Sequence, residues 1–288
     1  MPLVSTKYLI ELAEKKEFAL PAFNSPHLEF MTWILEEAEK LNSPVIIQFA
    51  PVEYYFLDIA ALSDALHALS RKFSVPFSLH LDHSHEIKEV MDAILNHFSS
   101  VMIDGSRHSI EKNIEITKKV VEISHLAEVI VEGEIGRVGG LEGDEQWEVD
   151  PESDDLFTLP EEAAFFANKT GVDLLAVAVG TRHGLYNGMV PRLQFDRIRE
   201  IKKQTHLPLV IHGGSGTPVD QLQQAVRAGV RKINFSTTLR VAFLKSIREY
   251  TDHHPDELFL PKIFRDISPS LKAAARECME SSLSVGKA

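Results

Sequence analysis

Apolar residues in this chain follow two alternating patterns: short unbroken runs, and longer stretches where they recur every three or four positions. The first reads as buried strands and the second as amphipathic helices. A helix from about Thr6 to Lys16 comes first, followed by strand Phe18 to Phe23, helix Leu28 to Leu41, strand Val45 to Phe49 and helix Asp58 to Lys72. Pro76-Phe77-Ser78-Leu79 then opens a strand through Leu79-His80-Leu81-Asp82-His83, which stops where Ser84-His85-Glu86 begins a helical pattern lasting to Phe98. Strand Ser100 to Asp104, helix Ile110 to His125 and strand Glu128 to Glu132 come next. Beyond the aperiodic, acidic stretch Gly139 to Leu159 lie helix Pro160 to Thr170, strand Asp173 to Val179 and helix Gln194 to Thr205. Strand Leu209 to Ile211, helix Val219 to Ala228 and strand Arg231 to Phe235 complete the alternation.

Strands that are continuous apolar runs, each separated by one helix, imply a parallel sheet covered by helices. Eight such units imply a closed (β/α)8 TIM barrel rather than an open doubly wound sheet. No Gly-x-Gly-x-x-Gly follows the first strand to favour the open form. The expected architecture is one barrel domain over residues 1–288, with an extra N-terminal helix and a C-terminal helical extension from about Pro255. The Gly139 to Leu159 stretch is expected to be a lid-type loop or a disordered insert.

Composition narrows the function classes. With 44% hydrophobic and 25% charged residues, the chain is that of a soluble globular protein. It contains no apolar run near the ~18 residues of a membrane helix, and Met1 to Lys7 lacks the charged head and apolar stretch of a signal peptide. The expected location is the cytoplasm, with no membrane partner. A formal charge of −12 disfavours nucleic acid. It leaves room for a small anion, which backbone N–H groups can hold locally. The single cysteine, Cys278, has no partner for an internal disulfide and reads as a packing residue.

In such a barrel the C-terminal strand ends converge on the face that carries active sites. That geometry makes neighbours of Asn24, Gln48, Asp82, His83, Asp104, Glu132, Glu134, His183, His212 and Asn234. Three imidazoles, His83, His183 and His212, at the ends of the third, sixth and seventh strands form a catalytic zinc arrangement. Glu134 reads either as a further metal ligand or as a rim ion pair. His80, on the same strand parity as Asp82, is placed to support the site from behind, and His253-His254 reads as surface. Asp82 reads as a base, or alternatively as a residue that orients His83 or caps the following helix. The turns His212-Gly213-Gly214-Ser215-Gly216 and Ser236-Thr237-Thr238, both at helix starts, read as a phosphate site.

These residues resemble the class II, metal-dependent fructose-bisphosphate and tagatose-bisphosphate aldolase family over roughly Phe18 to Phe243. The resemblance rests on Leu79 to His83, Val101-Met102-Ile103-Asp104-Gly105-Ser106, Val131-Glu132-Gly133-Glu134-Ile135-Gly136, Gly180-Thr181-Arg182-His183-Gly184, His212 to Gly216 and Lys232-Ile233-Asn234. It implies His83, His183 and His212 as Zn²⁺ ligands and Glu134 at a neighbouring metal position. A monovalent cation at the phosphate is left open. Asp82 would exchange the C4 hydroxyl proton and Glu142 the proton on the dihydroxyacetone phosphate carbon. Gly184, Gly213, Ser215 and Thr237 would hold the phosphate, and Asn234 would contact the ketose. The implied reaction is reversible cleavage of a ketose 1,6-bisphosphate, of fructose or tagatose type, to dihydroxyacetone phosphate and an aldehyde. The implied enzyme acts in sugar breakdown, including glycolysis, as a homodimer or homotetramer. The chain departs from the family pattern at Ala50 (Ser in many relatives), Asn187 (Lys in the fructose branch) and Thr238 (an acid). Two other readings are a Schiff-base aldolase using Lys232 and a non-catalytic phosphosugar-binding protein on the same scaffold.

Overall fold

The computed structural model of the chain describes residues 2–25, 27–53, 58–142, 145–147, 157–184, 186 and 191–288, with backbone alone at 140–142 and 145–147. Its first half comprises α1 (Thr6–Lys16), β1 (Leu20–Asn24), α2 (Leu28–Leu41), β2 (Val45–Phe49), α3 (Ile59–Leu69), β3 (Phe77–Ser84), α4 (Ile87–Leu95), β4 (Ser100–Ile103), α5 (Ile110–Leu126) and β5 (Ile130–Ile135). Next come β6 (Gly139–Glu142), β7 (Glu145–Trp147), α6 (Pro160–Thr170), β8 (Leu174–Val177), β9 (Arg182–His183) and α7 (Phe195–Thr205). The last elements are β10 (Leu209–Ile211), α8 (Val219–Ala228), β11 (Val230–Phe235), α9 (Thr237–His253) and α10 (Leu260–Ser281). Eight strands close into a barrel in the order β1-β11-β10-β8-β5-β4-β3-β2, all paired in parallel. This is the (β/α)8 fold expected from the pattern.

Two apolar cores account for it. Between the sheet and its helices, residues such as Phe49, Phe77, Leu81, Val131, Phe166 and Ile211 are excluded from water. Inside the barrel, Leu20, Ala22, Ile46, Ile130, Leu174, Ala176 and Val210 pack against Leu9, Ile10 and Ala13 of α1. The N-terminal helix therefore plugs one end, and the opposite end is left to chemistry. Ser5 caps α1, its hydroxyl accepting from Tyr8 N. Glu86 and Glu89 form a reciprocal capping box that starts α4 directly after β3. At the C-terminus α10 packs on α2 and α9, with Trp33 and Phe264 in edge contact at 6.2 Å. Cys278 is buried there, and burial pushes its thiol pKa up. Among the described residues no helix is long and apolar enough to cross a membrane.

Three local features differ from the sequence expectation. β3 runs through His83 as expected but continues one residue further, to Ser84. The barrel strand before His183 ends at Val177, and His183 lies beyond it in the two-residue β9. The start of the expected lid loop is instead an antiparallel hairpin of β6 and β7, which β9 joins in parallel through Gly139↔Arg182 and Gly140↔His183. Strands this short carry too few positions for an alternating pattern to register.

Candidate metal centre and active site

The site is built around an irregularity in β3. Its pairing with β4 shifts register between Leu81↔Val101 and Ser84↔Ile103, and His83 adopts a left-handed φ of 41°. Strict alternation would send Asp82 and His83 to opposite faces. Because of the bulge, both line the same cavity of about 60 Å³.

His212 follows β10 and meets His83 with ring centroids 4.5 Å apart, while His183 lies 5.2 Å from His83 and 5.9 Å from His212. One nitrogen from each falls within a 4.8 Å cluster. Gly213 makes this convergence possible. It has φ of 69°, and a Cβ there would lie 2.2 Å from the Arg182 carbonyl oxygen, so only glycine lets the two histidine-bearing segments come this close. Tyr186 secures the approach, its hydroxyl accepting from Arg182 N (3.1 Å) and donating to Gly213 O (3.2 Å).

Neighbouring carboxylates fix two of the rings. His212 Nε2 donates to Glu132 Oε1 at 2.8 Å, and His83 Nδ1 donates to Asp104 Oδ2 at 3.1 Å. Asp104 stays ionised: burial alone would raise its pKa, but the His83 and Ser106 hydrogen bonds hold it far below the usual carboxylate range. With those faces committed, His212 Nδ1 and His83 Nε2 confront each other at 2.7 Å with their lone pairs. Two such lone pairs need a positive charge beside them, so the donor set fits a shared divalent cation. Burial lowers the pKa of His212 well below its ordinary value, which keeps that ring a neutral ligand. A second group, His83, Asp104 and Glu134, also brings ligand atoms within 4.8 Å, and Glu134 Oε2 is 3.6 Å from His212 Nδ1.

A polar ladder lies behind the histidines. Lys232 Nζ donates to Glu132 Oε2 (2.8 Å) and approaches His80 Nε2 (3.4 Å), while His80 Nδ1 bonds the Ser100 hydroxyl (2.8 Å), which donates to Thr6 of α1 (2.8 Å). His80 Nε2 lies 3.6 Å from Glu132 Oε2, behind the histidines. Lys232 is fully buried in this ladder and is absent from the cavity wall among the described residues.

Asp82 is enclosed by carboxamides. Its Oδ2 accepts from Asn24 Nδ2 (3.0 Å) and Gln48 Nε2 (3.1 Å), and its Oδ1 from Asn234 Nδ2 (3.0 Å), with His83 Nε2 3.9 Å away. Burial works to raise its pKa, but positive charge at the His83–His212 pair, Lys232 and the Asn24 hydrogen bond outweigh it and hold the carboxyl below its ordinary range. The Nδ1 side of His83 is taken by Asp104, and α4 is started by the Glu86–Glu89 capping box rather than by Asp82.

Across the cavity lie Gly184, Gly213, Ser215 and Thr237. The Ser215 hydroxyl accepts from Ser236 N (3.3 Å) and Thr238 N (3.1 Å), tying the loop after β10 to the first turn of α9. The N-terminus of that long helix adds a favourable field for an anion. Glu142 ends β6, but its side chain lies outside the described residues, as does Asn187. Ala50 is on the wall.

Two charged wall residues escaped the sequence reading. Glu53, in the single turn Pro51–Glu53 after β2, accepts from Ala50 N (3.0 Å) and Asn24 Nδ2 (2.9 Å) and forms an ion pair with Arg240 of α9. Burial raises its carboxyl pKa against the pull of Arg240. The only hint in the sequence was the unusual run Pro51-Val52-Glu53-Tyr54-Tyr55. Nothing marked Arg240.

The family model for class-II fructose-bisphosphate aldolase matches residues 4–287. Among solved structures, the YdjI aldolase of Escherichia coli K12 is similar at 30% identity with TM-score 0.86, covering 99% of both chains. A Coccidioides immitis protein provisionally assigned as a fructose-1,6-bisphosphate aldolase has 27% identity and TM-score 0.87, over 98% of this chain and 96% of that one. The fructose-bisphosphate aldolase of Campylobacter jejuni, at 24% identity and TM-score 0.84 over 99% and 97%, shares the fold.

Proposed function

Because this chain belongs to the class-II fructose-bisphosphate aldolase family, we propose that it is a zinc-dependent aldolase that reversibly cleaves a ketose 1-phosphate to dihydroxyacetone phosphate and an aldehyde. The observation that carries this reading is the meeting of three imidazoles beside the Asp82 carboxyl, which three carboxamides hold, at one barrel mouth. His83, His183 and His212 would hold the metal, with Glu134 at an adjacent position. A divalent ion there supplies positive charge where negative charge develops on the substrate oxygens.

The chain's own residues supply the rest. In cleavage, Asp82 takes the proton from the C4 hydroxyl, the C3–C4 bond breaks with its electron pair going to the C2–C3 enediolate, and C4 leaves as the aldehyde carbonyl. Asn24, Gln48 and Asn234 fix the Asp82 carboxylate for that transfer and favour its charged form. Glu142 then delivers a proton to C3, giving dihydroxyacetone phosphate. The C1 phosphate is held by the loop Gly213 to Ser215, by Gly184 and by Thr237 at the start of α9. The sequence expectation is a second phosphate at C6, in the fructose or tagatose series.

A coupled assay for dihydroxyacetone phosphate, run on a panel of ketose 1-phosphates and 1,6-bisphosphates, tests the proposal. Turnover of at least one member is expected. Absence of turnover by zinc-loaded protein would favour the non-catalytic binding reading.

A further inference from the structure

Once the cavity wall is divided among the roles above, one part of it has no task. Asn24, Asp82 and Asn234 serve the proton transfer, His83 and His183 the metal, and the glycine and hydroxyl residues the phosphate. What remains is Ala50, Val52, Glu53 and Arg240. Contacts lead to it directly from the proposed base. One nitrogen, Asn24 Nδ2, is within 3.0 Å of Asp82 Oδ2 and 2.9 Å of Glu53 Oε2, and the other Glu53 oxygen meets Arg240. This is the wall left for the aldehyde half of the substrate, the carbons beyond C4.

We propose, on the basis of the aldolase reading, that Glu53 is a specificity-determining residue that selects a ketose 1-phosphate with an uncharged, hydroxyl-bearing aldehyde half over a 1,6-bisphosphate. Arg240 is the one cationic side chain among the described residues of the wall, and Glu53 already neutralises it. The Glu53 side chain is only 4% exposed. A phosphate dianion placed here either lies against that carboxylate or takes Arg240 from it and strands a buried negative charge, and both are costly. Substrate hydroxyls meet no such penalty, since they can donate to Glu53 and accept from Arg240. Among the described residues the cavity therefore has one anion cradle, at the start of α9, and a charge-balanced polar surface where Glu53 meets Arg240.

The test uses the full-length zinc-loaded enzyme and matched pairs: fructose 1-phosphate with fructose 1,6-bisphosphate, and the two tagatose counterparts. Wild-type kcat/KM should favour the monophosphate of the preferred pair by at least about tenfold. Glu53→Gln keeps an oxygen for Ala50 N and Asn24 but removes the charge, and should cut that ratio by at least about tenfold. Glu53→Ser, which also frees Arg240, should cut it further. A wild-type preference for bisphosphate overturns the proposal and leaves the aldolase reading standing, as does an unchanged ratio in both folded variants. Turnover of no pair would remove the aldolase reading and this one with it. If a variant does not fold, the wild-type ratio decides.

Discussion

Glu132 stands with one carboxylate oxygen 2.8 Å from His212 Nε2 and the other 2.8 Å from Lys232 Nζ, all three side chains fully buried. The contact with Glu132 occupies His212 Nε2 and leaves Nδ1 to meet His83. Replacing Glu132 with Gln keeps its volume but weakens both links. Metal affinity should fall by about ten- to a hundredfold, the usual effect of losing a ligand's supporting carboxylate. Competition with a chromogenic chelator measures this, and unchanged affinity in a folded variant would refute the role.

Asp82→Ala removes the proposed base and leaves the three histidines in place. We expect kcat to fall by at least about a hundredfold, with bound zinc measured by elemental analysis close to the wild-type value. Loss of metal together with activity would show instead that Asp82 holds the site together.

Gly213→Ala places a Cβ against the Arg182 carbonyl at a residue with φ of 69°. Backbone strain alone costs about 1–3 kcal/mol, so the thermal midpoint should drop. The displaced β9 segment should also weaken metal binding through His183. A variant with wild-type melting and metal content would contradict the close approach.

Removal of metal by EDTA should abolish turnover, and Zn²⁺ should restore it. Borohydride added with dihydroxyacetone phosphate should leave Lys232 unmodified by mass spectrometry, because that amine is sealed in an ion pair with Glu132 and lies off the cavity wall. A trapped adduct on Lys232 would revive the Schiff-base mechanism.

Much of this site could be read in the linear chain. Apolar runs separated by amphipathic helices are a local property, and eight of them leave few ways to cover both faces of a sheet. The residues at the ends of those runs were therefore legible as neighbours, which is why His83, His212, Asp82 and Asn234 were found together. Glu53 and Arg240 were not, because they meet only in the assembled barrel, from a single turn after β2 and from the first turn of α9. No periodicity connects positions that distant.

The sequence by itself determined the barrel, its extra N-terminal helix and the identity of the converging histidines, since hydrophobic spacing and residue chemistry act locally or through topology. Only the tertiary structure decided how Asp82 and His83 share one cavity. Alternation in a regular strand separates adjacent side chains, and the alternation is broken by a register shift against β4 and a left-handed φ at His83. A bulge of that kind depends on what the partner strand and the cavity demand, so it is a property of the assembled barrel.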